Sequence, residues 1–158
     1  MLKLGMPSLC VINGNAVAGG ILHAWSHDHI VMRNEPKTSV CLSEILSGMQ
    51  IPYSILLYAM HFFPKGTTGL LVTGARLNPQ EAYNMNLVHE LYSSVPEIEA
   101  RIQLFAKEKA RLNSRSHVLS SQKRLMHKDL LNVLDNVEFY GMLSLPSMGT
   151  LAERAAKL

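Results

Sequence analysis

Residues 7–44 read PSLCVINGNAVAGGILHAWSHDHIVMRNEPKTSVCLSE, and this stretch decides the fold. An apolar, β-branched run at residues 8–12 is followed by the turn-forming residues Asn-Gly-Asn at 13–15. That pattern predicts a buried strand that ends in a tight loop. A helix is then predicted over residues 19–26, because apolar side chains recur there at helical spacing.

Two glycines stand at the start of this predicted helix. Glycine lets a ligand approach the backbone closely, and the first N–H groups of a helix have no intrahelical partner. Ala18, Gly19 and Gly20 therefore predict an anion or oxyanion site. The alternative is a tight strand-to-helix connection without a ligand, but Asn13 and Gly14 in register before it favour the functional interpretation.

Two more strands are predicted after the helix, at residues 29–32 and 39–42. Strands that alternate with helices indicate parallel βα units, in which ligands gather at the carboxyl ends of the strands. Ser43 and Glu44 follow the second of these strands, so Glu44 is the candidate catalytic carboxylate. The alternative is an exposed carboxylate in the first turn of a short helix that Ser43 caps.

The segments INGNAVAGG, SHDHIVMR and CLSEILSG resemble the crotonase (enoyl-CoA hydratase/isomerase) superfamily. The resemblance is closest to its Δ3,Δ2-enoyl-CoA isomerase branch. Leu22 stands three residues after Gly19, where a hydratase has one of its two catalytic glutamates. The spacing from Asp28 to Glu44 also fits the isomerase loop better than the shorter hydratase loop. The match runs over residues 7–92.

The resemblance implies an α/β fold, a crotonase-like ββα spiral that lacks its N-terminal portion and is followed by a helical region. We expect a partial spiral core with the active-site segment at residues 1–94 and a helical, oligomerising region at 95–158. A full superfamily member has roughly another hundred residues before the matching segment. The second oxyanion donor and much of the CoA adenine site are expected to lie in that part.

The implied activity is that of a Δ3,Δ2-enoyl-CoA isomerase of fatty-acid β-oxidation. Glu44 would carry a proton from C2 of the acyl group to C4, and the Gly19 N–H would stabilise the thioester enolate. Ala18, Gly20 and Leu22 are the predicted substrate-binding residues. No cofactor is expected, because the CoA thioester is itself the substrate.

Two other functions stay open. The first is a catalytically impaired crotonase-like fragment that acts as a structural or binding subunit, and the second is an enoyl-CoA hydratase. The expected partners are the acyl-CoA substrate and either further copies of the chain or a homologous subunit.

Composition bounds these interpretations. The 158 residues, 47% hydrophobic and 17% charged, indicate one globular domain. A net charge of +3 with only 6% aromatic residues gives no case for nucleic acid. The longest apolar run, residues 51–63, is shorter than the roughly 20 residues that a membrane span needs. Cys10 and Cys41 are expected to be reduced core thiols.

A metal is not expected, although four ionisable residues cluster around the end of the first predicted helix. His23 and His27 are four residues apart, and Asp28 and His29 follow directly. No glutamate follows His23 as a zinc-protease motif requires. Asp28 is instead predicted to be a structural carboxylate at a helix end.

The last three residues, Ala156, Lys157 and Leu158, resemble the Ser-Lys-Leu peroxisomal address with one small residue exchanged for another. A peroxisomal location is therefore expected, with a mitochondrial one as the alternative. The alternative explanation of this tripeptide is chance, because a terminal helix made of common residues at 150–157 could end in the same three residues.

The remaining chain predicts helices at 52–62, 68–73 and 78–85, and a strand at 87–91. Two long amphipathic helices should follow. The first carries the apolar stripe Ile98, Ile102, Phe105 and Leu112. The second begins near residue 116 and carries Leu119, Met126, Leu130, Val133 and Val137. Five basic residues are expected on solvated helix faces, with contact to the phosphates of CoA as the alternative: Lys107, Lys109, Arg111, Lys123 and Arg124.

Overall fold

The computed structural model describes residues 1–63 and 66–136, and its architecture is α/β, as predicted. Three parallel strands form one sheet in the order β1-β3-β5, and two further parallel strands, β2 and β4, pair separately. The bounds are β1 Leu9–Ile12, β2 Ala16–Val17, β3 His29–Arg33, β4 Val40–Cys41 and β5 Glu90–Tyr92.

Seven α-helices and two 3₁₀ helices surround these strands in the described residues. The α-helices are α1 Gly19–Trp25, α2 Tyr53–Phe62, α3 Thr67–Val72, α4 Pro79–Asn84, α5 Val95–Lys109, α6 Ser116–Met126 and α7 Lys128–Asn136. The 3₁₀ helices are Glu44–Ser47 and Ala110–Arg115. None of these helices combines the length and the apolar composition that crossing a bilayer requires.

Helix α4 shows how local sequence starts an element. The Asn78 side chain accepts a hydrogen bond from the Glu81 N–H at 2.9 Å, and the Glu81 carboxylate accepts one from the Asn78 N–H at 2.8 Å. Pro79 occupies the first helical position, where its missing N–H costs nothing. This reciprocal cap confirms the predicted start of the helix.

The three-stranded sheet is buried on both faces, because successive strand residues point to opposite sides. Ile30 and Met32 of β3 enter the main core, which also contains the helix residues Ile21 and Trp25. Val31 points the other way and packs in a second cluster with two more buried side chains, Tyr92 and Ile98. The core therefore holds α1 on one face of the sheet and α5 on the other.

Two predicted elements were wrong in their extent. The strand predicted at 87–91 is only Glu90–Tyr92, because Asn86 adopts a left-handed φ of 58° and a bend follows it before the strand begins. The long helix predicted from residue 116 breaks at His127, which leaves helical geometry with φ −105° and ψ 16°. Met126, placed in its apolar stripe, is 63% exposed.

Other predictions fall on residues outside the described ranges. They are the helix at 150–157, the stripe residue Val137 and the terminal tripeptide Ala156-Lys157-Leu158. The division into regions 1–94 and 95–158 stays a prediction as well.

A polar cluster joins β5 to the helix that follows it. The Arg101 guanidinium donates two hydrogen bonds of 2.6 Å to the Glu90 carboxylate, and His29 Nε2 lies 2.7 Å from the same carboxylate. The hydrogen bonds from Arg101 are the main reason that the pKa of Glu90 falls to about 2; burial opposes this shift, and the bond to His29 adds a smaller lowering effect. Glu90 thus ties β3, β5 and α5 together as an anion.

We expect this cluster to make stability fall in acid between about pH 4.5, the ordinary value for a glutamate, and about pH 2. The folded-state pKa is depressed, so the stabilisation is complete above the unfolded pKa and is lost as the pH falls toward the folded one. Glu90→Gln should be less stable than the native chain at pH 7, and the difference should shrink across this window. Urea unfolding at several pH values measures it.

Glu35→Gln is the matched control, because Glu35 pairs with Arg33 on the surface, where both side chains are more than 40% exposed. Such pairs contribute little. A stability difference between native and Glu90→Gln that stays constant from pH 5 to pH 2 would contradict the prediction.

Candidate active site

The two short strands β2 and β4 pair with each other, and they lead to the two candidate catalytic segments, which begin at Gly19 and Glu44. They pair in parallel register, Ala16 with Val40 and Val17 with Cys41. The Ala18 N–H extends the pairing by donating to the Cys41 carbonyl at 2.8 Å. The carboxyl ends of two parallel, paired strands lie on the same side of the sheet. Gly19 is one residue beyond the last bonded residue of its strand, and Glu44 is three residues beyond that of the other strand. Both residues therefore follow the strands at this same end.

The start of α1 is shaped by Ala18. Its φ of 51° and ψ of −121° are unusual for a residue with a side chain. The N–H groups of Ile21 and Leu22 turn back to the Ala18 carbonyl, at 3.2 and 3.5 Å. For the N–H groups of Gly19 and Gly20, the described residues supply no acceptor.

Both glycines are exposed and face open space. No atom of the described residues would lie within 4 Å of a Cβ built on either of them. Two unbonded N–H groups under an open surface can hold an oxygen that carries developing negative charge.

Glu44 is the first residue of the 3₁₀ helix Glu44–Ser47, which Gly48 ends in a left-handed conformation. Its Oε2 atom is buried, and no hydrogen-bond donor reaches it from the described residues. Those residues also form no ion pair with it. Buried polar atoms in proteins are nearly always bonded, so an unbonded carboxylate oxygen calls for a functional explanation. Its lone pairs are free to accept a proton.

Leu22, the remaining predicted substrate-binding residue, is half-buried and packs against the main core. Its carbonyl accepts a hydrogen bond of 2.8 Å from the Tyr58 hydroxyl, which ties α1 to α2. Burial raises the pKa of Tyr58 to about 12, so the hydroxyl keeps its proton as a donor. Sequence reasoning missed Tyr58, because nothing local marks a buried tyrosine 36 residues away as the partner of this helix.

The far end of α1 is fixed by Asp28, as predicted. Its carboxylate accepts bonds from the Ser8 N–H and hydroxyl, both at 2.7 Å, and from Lys123 Nζ at 2.6 Å. Burial raises the pKa of Asp28, but the bonds from Lys123 and Ser8 outweigh burial and hold it below the ordinary value. The expectation that Lys123 is solvated is wrong, since only 4% of the residue is exposed.

The histidines near this helix do not form a metal site in the described part of the chain, where no group of three or more candidate ligands is suitably placed. His23 and His27 pack edge to face, with ring centroids 4.9 Å apart. His61 Nε2 lies 2.8 Å from His127 Nδ1. That the protein binds no metal stays a prediction.

Two cavities in the described residues do not lie at the paired ends of β2 and β4. A cavity of about 420 Å³ lies between β1 and α5, and another of about 270 Å³ surrounds Asp28 and His127. Neither is lined by Gly19 or Glu44. The lining of the first cavity is mostly apolar, and its polar side chains are Lys109 and Asn113. Beyond the strand ends, by contrast, N–H groups and a carboxylate oxygen have no hydrogen-bond partner among the described residues. The latter arrangement is the better candidate for catalysis.

Comparison with known proteins gives relatives from Arabidopsis thaliana, among them enoyl-CoA delta isomerases 1, 2 and 3, of which 1 and 2 are named peroxisomal. Enoyl-CoA delta isomerase 3 is 27% identical over 139 residues, covering 85% of this chain and 58% of that protein. Enoyl-CoA delta isomerase 2, peroxisomal, is 28% identical over 138 residues, covering 85% of this chain and 57% of that protein. The chain thus spans a little over half the length of the relatives it matches. No protein-family model matches it.

Among solved structures, an enoyl-CoA hydratase/isomerase family protein from Pseudomonas syringae superimposes with a TM-score of 0.76 at 24% identity. The superposition covers 85% of this chain and 57% of that one. The likeness therefore extends over most of the described residues and over part of the larger fold.

Proposed function

Because the chain has the fold of the crotonase superfamily, we propose that it acts as a Δ3,Δ2-enoyl-CoA isomerase, with Glu44 as the base and the Gly19 N–H as an oxyanion donor. The observation that carries the proposal is the buried, unbonded Oε2 of Glu44 beyond a strand that pairs with the strand leading to Gly19. Relatives that are named enoyl-CoA delta isomerases support the reaction class.

The reaction needs one base and one stabilised anion. Glu44 takes a proton from C2 of the 3-enoyl thioester, and the electron pair of the broken C–H bond delocalises onto the thioester oxygen as an enolate. The Gly19 N–H donates to that oxygen and lowers the energy of the charge. The carboxylic acid then returns the proton to C4, and the double bond ends between C2 and C3. Protons and charge balance without any cofactor.

A carboxylate that serves both carbons must be close to both and free of other bonds. Among the residues that the structure describes, no cation or donor meets Oε2, so this oxygen can approach a substrate proton without first giving up a hydrogen bond. Leu22 offers no second carboxylate of the kind that a hydratase uses to add water, so isomerisation is favoured over hydration.

A structural or binding subunit is the second candidate function, and the edge of the main sheet favours it. In the order β1-β3-β5, strand β1 has a partner on one side only within the described residues. An open strand edge is a ready template for another strand. A homologous subunit or a second copy of the chain would be a suitable partner.

We also propose a peroxisomal location. Two of the relatives are named peroxisomal, and the terminal tripeptide Ala156-Lys157-Leu158 resembles a peroxisomal address. Fusing these residues to a fluorescent protein and imaging its distribution would test the address.

The proposed activity is tested by incubating the purified chain with a 3-enoyl-CoA and following formation of the conjugated 2-enoyl thioester by ultraviolet absorbance. Isomerisation that increases in proportion to protein concentration supports the enzyme. No turnover, together with tight binding to a full-length homologous isomerase, would reject it in favour of the binding subunit. Formation of the 3-hydroxyacyl product from a 2-enoyl-CoA would instead indicate a hydratase.

Gly19→Ala is expected to lower kcat/KM by about 10²-fold, the usual cost of losing one oxyanion donor. Apart from its chain neighbours and helix backbone, no atom of the described residues lies within 4 Å of the added methyl group, so the fold should be unaffected while the thioester oxygen is kept from the N–H. Steady-state kinetics and a thermal unfolding scan measure the two effects.

Gly69→Ala is the matched control, because Gly69 is also a helical glycine with open space around it, in α3. It should leave kinetics unchanged. Equal kcat/KM in native and Gly19→Ala protein would show that the thioester does not use this N–H.

A further inference from the structure

We propose that residues 74–77, hereafter the strap, set the position of Glu44 relative to Gly19, with Gly74 and Arg76 as positioning residues. This inference rests on the proposed function. Its structural part, that the strap orders the 3₁₀ helix Glu44–Ser47, can be tested without any turnover.

The strap lies along the open edge of β4. Val40 and Leu77 exchange two backbone hydrogen bonds in an antiparallel bridge, 3.0 and 2.9 Å long. The opposite edge of β4 pairs with β2. Strand β4 is therefore held between the segment that leads to Gly19 and the strap, and it can shift only if one of these pairings breaks.

A side chain adds a second tie. The buried Cys41 Sγ lies 3.4 Å from the Gly74 carbonyl and donates to it. Burial raises the pKa of Cys41, so the thiol keeps the proton that it donates. Cys41 is the last residue of β4, so this tie fixes the chain three residues before the base.

Gly74 also supports the helix that Glu44 begins. A Cβ at Gly74 would lie 2.9 Å from the Leu46 side chain and 3.1 Å from that of Ile45. Both distances are too short for an ordinary contact. The side chains of the two residues after Glu44 therefore pack against Gly74 in the space that a Cβ would occupy. The φ of 79° at Gly74 independently favours glycine.

Arg76 extends the strap to the other candidate segment. Its Nη1 donates to the Ser39 hydroxyl at 3.0 Å, and that hydroxyl donates to the Asn15 side chain at 2.7 Å. Asn15 directly precedes β2, which leads to Gly19. One short segment is thus connected both to the strand before the base and to the strand before the oxyanion donor.

These connections matter because, within residues 1–63 and 66–136, no donor or cation fixes Oε2 of Glu44 directly. With Oε2 unbonded, the position of the side chain depends on the backbone of Glu44–Ser47 and on what that helix rests upon. Displacements of about 1 Å in a catalytic group can lower the rate by about 10²-fold. A small change at Gly74 should therefore affect the chemical step more than substrate binding.

The test compares Gly74→Ala with Gly66→Ala. Gly66 has a positive φ of 96°, but in the described part of the chain no atom beyond its chain neighbours and helix backbone lies within 4 Å of an added Cβ, so it reproduces the backbone strain without the collision. We expect Gly74→Ala to lower kcat by about 10- to 100-fold with KM within about 2-fold. Gly66→Ala should lose comparable stability and keep kcat. An equal loss of kcat in both variants would overturn the proposal.

A second-site change sharpens this test. Leu46 is 66% exposed, so Leu46→Ala costs little packing and removes the closer of the two side chains that the new methyl group would meet, the other being Ile45. In the double variant Leu46→Ala/Gly74→Ala, kcat should recover most of what Gly74→Ala lost, relative to Leu46→Ala alone. No recovery would overturn the role that we assign to the Leu46 contact in placing Glu44.

Hydrogen exchange separates this inference from the proposed activity. The amide of Leu46 donates to the carbonyl of Ser43, the residue before this short helix, and the amides of Gly48 and Met49 donate to helix carbonyls. They should exchange faster in Gly74→Ala than in Gly66→Ala, whether or not the protein turns over a 3-enoyl-CoA. Unchanged exchange would overturn the strap even in an active enzyme. Faster exchange in a chain without isomerase activity would reject the proposed function and leave the strap supported.

Discussion

Glu44→Gln is expected to lower kcat for 3-enoyl-CoA isomerisation by about 10²- to 10⁴-fold, the range that a general base contributes. Glutamine has nearly the same shape as glutamate but cannot take up the C2 proton. Because the native Oε2 is buried and unbonded, the carboxylate gains little from its surroundings. We therefore expect the variant to be as stable as the native chain or slightly more stable, as is common when a functional charge is removed.

The measurement combines two readouts. Ultraviolet absorbance gives the rate of double-bond migration, and exchange of the C2 hydrogen with solvent deuterium, followed by NMR, reports proton removal alone. Both should be lost together in Glu44→Gln, because one carboxylate performs both transfers. Glu99→Gln, which changes an exposed glutamate on α5, is the control and should alter neither.

Two outcomes would count against Glu44 as the base. Isomerisation within about 3-fold of the native rate would assign proton transfer to another group, since a lost general base costs far more than that. Continued exchange at C2 with migration abolished would mean that Glu44 delivers the proton to C4 without having removed it from C2.

Elements with strong local signals could be predicted from the sequence. The Asn78-Pro79 start of α4, strand β1 and helix α1 each follow from residues within one turn or one strand of each other. The location of Glu44 beyond a short strand was predicted in the same way, and the parallel pairing of β2 with β4 means that Gly19 and Glu44 follow the same ends of two paired strands.

Features that depend on distant parts of the chain could not be predicted. Strand β2 has only two residues, too few for any periodicity to appear, and it forms because β4 supplies its partner. The break at His127 follows an uninterrupted helical pattern, and the buried imidazole there meets His61 from α2. The unbonded state of the Glu44 carboxylate likewise depends on which donors the fold brings near it.

Lys123 is the clearest case of such long-range dependence, and it gives the largest expected effect on stability. Its Nζ bonds to Asp28 at 2.6 Å and to the Met6 carbonyl at 3.1 Å, so it joins α6 to the end of α1 and to the N-terminal segment. In sequence it looks like any lysine on an amphipathic helix. Only the fold places a carboxylate 95 residues away beside it.

Lys123→Ala is expected to lower the free energy of unfolding by about 3 kcal/mol, the lower end of the range for breaking a buried ion pair. The lower end applies because the Asp28 side chain is still 33% exposed and keeps its two bonds from Ser8. Urea unfolding at pH 7 gives the value. Lys107→Ala, an exposed lysine on α5, should change it by less than about 0.5 kcal/mol.

The double variant Asp28→Asn/Lys123→Met separates the ion pair from simple packing. Removing both charges leaves no buried charge without a partner, and methionine fills most of the space of the lysine stem, so the loss should be smaller than in Lys123→Ala. If Lys123→Ala and the double variant were equally unstable, lost packing rather than a stranded Asp28 carboxylate would explain the effect. If Lys123→Ala were as stable as the native chain, α6 would be held to α1 by apolar contacts alone.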